Sequence, residues 1–498
     1  MDLQAHVCVP ISSTSFFYSF LNTPMSRMPV VNDVLRQIYI VLEANRVLGI
    51  GVGHVEWLVQ MSDRMIYVFI LGKNWKLSVA ELVSFLKSRA YTPRIIDISK
   101  SFVVIELENA LDPSIAVDLG GTIKIGRVVT EIPVGTVNKA FLEKDKQDRN
   151  QIQTDLSLDN TVERVFDASK AISIFGVSVY FADTHFSHSS IRIQRFLGSY
   201  FKRSLASRGV KAKFMGFPKG RGMPQLTHVE VLKKGLVENS AEILFCIGKE
   251  EAFLSKTIAV HNPFEFQKRD VERPFQRKIF SISPRLAKIL VNLSMCLPGG
   301  VLLDPFCGVG TIIQEAALMQ MEVIGVDKDS WCVKASRANL AWLKKEYSSL
   351  LEGMRSTVLL GDARSLTSQI EKGSVDAIAT EPPLGPALRY IPTVSRANRI
   401  VGDLKSLYYD FLEEAYKVLK YSGYLAIVSP LVRTRMGVPV YLDIDRKAEL
   451  DGFKKVYPVK REDFAIENKM VEELTRQTVF TDAEKRHKIV RQIHIFQK

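Results

Sequence analysis

Four acidic residues in the C-terminal part of the chain each close a short apolar run. Asp304 follows Val301-Leu-Leu and opens Asp304-Pro-Phe-Cys-Gly-Val-Gly-Thr311; Asp327 follows Glu322-Val-Ile-Gly-Val. Asp362 follows Thr357-Val-Leu-Leu-Gly, and Glu381 follows Val375-Asp-Ala-Ile-Ala-Thr and opens Glu381-Pro-Pro-Leu-Gly385. Gly308 and Gly310 let the backbone approach a ligand closely. An acid at the tip of the second strand of a βαβ unit is placed to take both hydroxyls of a ribose. The two prolines after Glu381 fix the backbone and remove amide donors. That segment is either a stiff turn or a clamp presenting acceptors in a fixed array. A dinucleotide site fits poorly, because Ile313 stands where the third glycine of a G-x-G-x-x-G fingerprint would fall. The acid after the first strand also sets itself against a pyrophosphate.

These residues need parallel strands to carry them. Val301–Asp304, Glu322–Asp327, Thr357–Asp362, Val375–Thr380 and Tyr424–Pro430 read as short buried strands, and Val490–Phe496 as a last one. Thr311–Leu318 and Tyr408–Leu419 read as helices between them, and Ser283-Pro284 caps a helix leading in. Strands alternating with helices, with acids at successive strand ends, predict a doubly wound sheet binding a nucleoside in its crevice.

Upstream, 65–135 alternates strand, helix, strand, strand, helix, strand, which suits a small α+β sandwich. A second α/β unit follows over 136–261. Between 191 and 235 the bases include Arg192, Arg195, Lys202, Arg203, Lys211, Lys213, Lys219 and Arg221, against the single acid Glu230. That imbalance fits contact with phosphates along a helix and the loop Phe217–Gly222. Residues 262–281, with two prolines in mixed charge, read as a linker to a domain over 282–498. Residues 1–64 read as a leader: poorly ordered, an over-long start, or a family-specific extension. The 498 residues carry a net charge of +13 and five scattered cysteines without a CxxC pair. This argues against zinc or a disulfide framework and fits a reducing cytosol. No segment approaches the roughly 18 apolar residues of a membrane span, so a cytoplasmic protein is expected.

Asp304–Thr311, Val326-Asp327, Gly361-Asp362-Ala363 and Glu381–Gly385 together resemble the successive motifs of class I S-adenosylmethionine-dependent methyltransferases. With Leu119-Gly-Gly-Thr-Ile-Lys124, Arg269–Pro274 and Ser283-Pro-Arg-Leu-Ala287, the chain over roughly 65–498 looks like the THUMP-domain tRNA guanine-N2-methyltransferases that modify guanosine 10. The resemblance implies an α/β protein: a Rossmann-like methyltransferase domain preceded by ferredoxin-like and THUMP α+β modules. It implies that Asp304, Phe306, Gly308, Gly310 and Thr311 surround the methionine part of S-adenosylmethionine. Asp327 would take the ribose, Lys328 would flank the adenine, and Asp362 and Ala363 would meet its edge. Glu381, Pro382, Pro383 and Leu384 would form the substrate clamp, with no metal. Cys307 reads as a packing residue rather than a nucleophile. The basic residues above, with Arg389 in the loop after the clamp, would hold tRNA.

The chain departs from the family pattern twice. Glu381 stands for Asp or Asn, and Leu384 stands for an aromatic whose stacking on a base is worth roughly 1–3 kcal/mol. Phe306 and Tyr390 are the candidates to replace that surface. Methylation at another tRNA or rRNA position, a tRNA-binding protein with lost turnover, and amine methylation of DNA adenine stay open. A monomer is expected, with room for a small activator subunit.

Overall fold

The structure, a computed structural model, describes residues 65–167, 174–216, 225–239, 241–277, 281–484 and 486–498. The leader 1–64 and the loop bearing Lys219 and Arg221 lie outside the described residues.

The first half is built on one sheet. Its strands are β1 (Met65–Leu71), β2 (Arg94–Ile98), β3 (Phe102–Leu107), β4 (Thr122–Pro133), β5 (Ile174–Phe181), β6 (Lys213–Met215), β7 (Glu242–Ile247) and β8 (Glu251–Val260). Their order is β2-β3-β1-β4-β8-β7-β5-β6. The segments 65–135 and 136–261, read as separate modules, therefore share a sheet: β4 pairs with β8 from Lys124↔Val260 to Pro133↔Glu251. β1 is apolar at every position because nearly all of it is buried. The helix Ser190–Ser207 buries Ile193, Leu197, Phe201 and Leu205 at a spacing of four, which turns Arg192, Arg195, Lys202 and Arg203 outward. At the sheet's centre Lys124 is paired with buried Glu242 and donates to the Leu226 carbonyl at 2.8 Å. Glu242 also accepts from Ser178 (2.8 Å) and Thr257 (2.9 Å), so both buried charges have partners.

The second half carries β9 (Val301–Asp304), β10 (Glu322–Asp327), β11 (Ser356–Leu360), β12 (Val375–Thr380), β13 (Leu419–Val432), β14 (Val440–Tyr441), β15 (Lys454–Lys455), β16 (Val479–Asp482) and β17 (Ile489–Gln497). The order is β11-β10-β9-β12-β13-β17-β15, with β14 on β13 and β16 on β17. β9 to β13 run parallel and β17 antiparallel to β13. Strand order reverses between β9 and β12, which opens a crevice at their carboxyl ends.

Three elements differ from the sequence reading. The segment read as a linker contains the helix Pro263–Val271, whose Asn262 side chain accepts from Phe264 N at 3.0 Å. Phe266 and Arg269 bury its inner face, a pattern too short to show a period. The helix expected from Tyr408 begins at Val394, capped by Thr393, so Arg396 and Arg399, downstream of Arg389, are helical. The second helix expected within 65–135 is a 3₁₀ turn, Pro113–Asp118.

The helix Pro284–Leu293, capped by Ser283 Oγ on Leu286 N (3.3 Å), locks the two halves together. Its Asn292 donates to buried Glu81 at 2.7 Å, and Glu81 also accepts from Gly120 N (2.7 Å) and Gly121 N (2.6 Å). Arg285 Nη2 reaches Gly120 O at 2.8 Å and Lys288 reaches Val117 O at 2.6 Å. A Cβ on Gly120 would meet Arg285 O at 2.4 Å, so only glycine permits this approach. Among the described residues no helix is long and apolar enough to cross a membrane.

Candidate active site

The crevice holds a cavity of about 410 Å³, of the size that small-molecule sites occupy. Asp304, Phe306, Gly308, Thr311, Asp327, Lys328, Asp362, Ala363, Glu381, Pro382, Pro383 and Leu384 all line it. Gly310 and Arg389 do not.

The first wall is the turn after β9. Gly308 (φ 53°) and Gly310 (φ 87°) take left-handed conformations that let the chain reverse into the helix Thr311–Leu318. A Cβ on Gly310 would meet Ser336 Oγ at 2.5 Å, whereas Gly308 faces open space. Asp304 is buried, its Oδ1 accepting from Thr380 Oγ1 (2.7 Å) and Phe306 N (3.2 Å). Burial pushes its carboxyl up to about 7; the two donors pull down, and Asp327 and Glu381 push further up. Cys307 is buried, and burial raises its thiol well above the ordinary value. That suits packing and not nucleophilic attack.

Asp327 ends β10 and stabilises the turn: its Oδ2 accepts from Gly308 N and its Oδ1 from Asp329 N, both at 2.9 Å. Asp362 follows β11 and binds Arg364 through the amide (2.9 Å) and the guanidinium (2.7 Å), which holds its carboxyl below the ordinary value. Asp304 and Asp327 have no ion-pair partner among the described residues. Two carboxyls without a cation, beside an open glycine turn, fit a ligand carrying a ribose and a positive charge.

The second wall is the turn after β12. Glu381 lies at its start, and Arg491 on β17 donates from Nε to Oε1 at 2.5 Å and from Nη2 to Oε2 at 3.5 Å. Tyr408 Oη donates to Pro383 O and Val428 O, each at 3.2 Å, and so pins the proline turn to β13. Leu384 is half-buried against the core. Phe306 packs edge-on to Phe411 with centroids 5.2 Å apart and lines the cavity. Tyr390 is 77% exposed and outside it. Of the two aromatics considered as replacements for a stacking surface, Phe306 alone is in the cavity.

Arg277, Arg364 and Arg491 also line the cavity and were not singled out from sequence. A signal existed for Arg491, a charge within the apolar run Val490–Phe496. The basic residues Arg192, Arg195, Lys202, Arg203, Lys211 and Lys213 are exposed on one stretch of the first half. Arg192 also donates to Phe141 O (2.9 Å), and Arg203 to Gln153 (3.4 Å). Arg389 is exposed in the loop after the clamp.

The sheet order and this cavity at its switch point define a class I, Rossmann-like methyltransferase fold. Residues 272–434 match the family described as UPF0020, RMKL-like, methyltransferase domain. The chain is 36% identical over 151 residues to a probable tRNA (guanine(10)-N2)-dimethyltransferase of Methanothermococcus thermolithotrophicus, covering 29% of this chain and 79% of that one. It is 34% identical over 195 residues to the tRNA (guanine(10)-N2)-dimethyltransferase of Methanothermobacter thermautotrophicus, covering 39% of this chain and 48% of that one. It is 27% identical over 308 residues to that of Methanocaldococcus jannaschii, covering 60% and 76%. The match thus spans about half the length of the Methanothermobacter relative. The chain belongs to the tRNA (guanine(10)-N2)-dimethyltransferase family. Among solved structures, TrmN from Thermus thermophilus is similar at a TM-score of 0.46 and 17% identity, covering 87% of this chain and 99% of that one.

Proposed function

We propose that this protein methylates the exocyclic N2 amine of a guanosine in tRNA, guanosine 10, using S-adenosylmethionine. The observation that carries the reading is the joint opening of the Glu381-Pro-Pro turn and the Asp304–Asp327 wall into one cavity. When bound, the cosubstrate supplies an electrophilic methyl on a sulfonium.

The chain's own residues do the rest. Asp304 meets the positive amino-acid end, with Phe306, Gly308 and Thr311 around it and Gly310 shaping the turn behind them. Asp327 holds the ribose, Lys328 flanks the adenine, and Asp362 with Ala363 meets its edge. Glu381 takes amine hydrogens, which localises the nitrogen lone pair and aims it, while the prolines keep the acceptors fixed. Positioning supplies much of the acceleration. Pro382, Pro383 and Leu384 cover the base, which leaves its stack to reach the cavity.

We assign 65–135 to a ferredoxin-like module, 136–261 to a THUMP module that grips tRNA through its basic face, and 282–498 to catalysis. We read the working form as a cytosolic monomer with room for a small activator subunit. The five scattered cysteines support that compartment.

The test uses unmodified tRNA transcript and labelled S-adenosylmethionine, followed by digestion to nucleosides. N2-methylguanosine or its dimethyl form is expected, lost when guanosine 10 is replaced. N6-methyladenosine, or no labelled nucleoside, overturns the reading.

A further inference from the structure

Glu381 does not stand alone. Arg491 grips its carboxylate from β17, in a pair only 18% and 12% exposed, and both residues line the cavity. Among the described residues, the charged or titratable groups facing Glu381 are Asp304 at the end of β9, Tyr408 from the helix Val394–Val418, Asp482 on β16 and Arg491. Arg491 is the only cation among them, and it also lies 3.8 Å from Asp482.

Burial raises the carboxyl of Glu381 above its ordinary value and Asp482 adds to the rise, while Arg491 opposes both by its charge and its hydrogen bond. A protonated acid presents a hydroxyl donor where a carboxylate presents acceptors. A carboxylate has about four acceptor positions. Arg491 takes one position on each oxygen, which leaves acceptor positions on a carboxylate that lines the cavity.

We propose that Arg491 is a positioning residue for Glu381, keeping the carboxylate ionised with its remaining acceptor positions open to a substrate's exocyclic amine. The proposal rests on the amine-methylation reading above. It also yields a selection rule. The pairing edge of guanine offers two adjacent N–H donors, which complement a carboxylate. Adenine offers one donor beside a ring acceptor, which a carboxylate repels and a protonated acid would suit. Arg491 thereby favours guanine by fixing the charge of a residue that contacts it.

Two measurements on Arg491→Met and Arg491→Lys decide the matter. In single turnovers across pH 5.5–9, Arg491→Met is expected to be at least about tenfold slower at pH 7. Its acid limb should rise by at least about one unit, and added guanidinium ions should restore part of the rate. Arg491→Lys should fall between, and its shifted limb serves if the methionine variant does not fold. Discrimination of guanosine against adenosine at the target position should weaken in step. An unshifted limb, with or without a slower rate, overturns the proposal.

The second measurement needs no substrate. Without Arg491 the folded-state pKa of Glu381 rises further, so stability is lost as pH rises through that value. Arg491→Met should therefore lose melting temperature more steeply with rising pH than Arg491→Met/Glu381→Gln, which keeps the slope that Asp304 gives to both. Equal slopes in the two variants sink the proposal. If the wild type labels no guanosine, the functional reading fails, while the melting pair still decides whether Arg491 governs the charge of Glu381.

Discussion

Arg269 and Glu315 form a bidentate ion pair, Nε–Oε1 2.6 Å and Nη2–Oε2 3.1 Å, with the guanidinium 5% and the carboxylate 1% exposed. It joins the helix Pro263–Val271 to the helix that leaves the glycine turn. Lys288 lies 3.4 Å from the same carboxylate. Glu315→Ala strands two buried cations and is expected to cost about 3–5 kcal/mol, read from chemical denaturation.

The carboxyl of Asp304, at about 7 against an ordinary 3.8, makes the empty and filled sites respond oppositely to pH. A raised folded-state value means stability is greatest below about pH 4 and is lost as pH rises through 7. The melting temperature of the ligand-free protein should therefore fall between pH 6 and 8, with a shallower slope in Asp304→Asn. Affinity for S-adenosylmethionine should instead rise with pH, by up to about tenfold per unit below 7. Calorimetry at pH 6, 7 and 8 measures it, and a flat profile refutes the role given to Asp304.

The two turn glycines should fail differently. Gly310→Ala drives a methyl into Ser336 Oγ in a left-handed conformation, and should destabilise the fold by a few kcal/mol. Gly308→Ala meets no atom, so the protein should fold with a loss of about 1 kcal/mol. Its methyl enters ligand space, so cosubstrate affinity should drop at least about tenfold. Melting and equilibrium dialysis separate the two outcomes.

Glu381→Asp restores the shorter acid of the family pattern, yet it should lower turnover. The carboxylate withdraws by one methylene from Arg491 and from the substrate edge. A tenfold or greater fall in kcat is expected with cosubstrate affinity unchanged; a gain in kcat would contradict the paired geometry.

Lys202→Ala and Arg195→Ala should each weaken tRNA binding and reduce the slope of log affinity against log salt by about one. Neither should alter cosubstrate binding. Filter binding from 50 to 300 mM salt checks both.

The acids of the site were legible because parallel strands are apolar along their length and end abruptly, so a polar residue at the tip is conspicuous. Asp304, Asp327 and Glu381 could be read this way without any pairing information. Arg491 could not be assigned a partner, since it meets Glu381 only through the β13–β17 pairing, 110 positions apart in the chain. For the same reason the 135/136 boundary hid a shared sheet, because β4 meets β8 from the far end of the first half. The start of the helix at Val394 was obscured by its polar first turns, where only Ala397, Ile400 and Val401 are buried before Tyr408. Composition did reveal the basic face, but not that Arg192 also serves a backbone carbonyl.

Glu81 bears on how such a gene can be rearranged. Its carboxylate takes two amides from the front half and Asn292 from the back, while Arg285 and Lys288 reach carbonyls across the same seam. Recombination that exchanged the front half for an unrelated one would leave these donors and acceptors without counterparts, beside the bared Leu286 and Ala287. Several such losses exceed the margin by which a domain stays folded. A front half taken from another protein would therefore have to bring its own matching donors and acceptors to this seam.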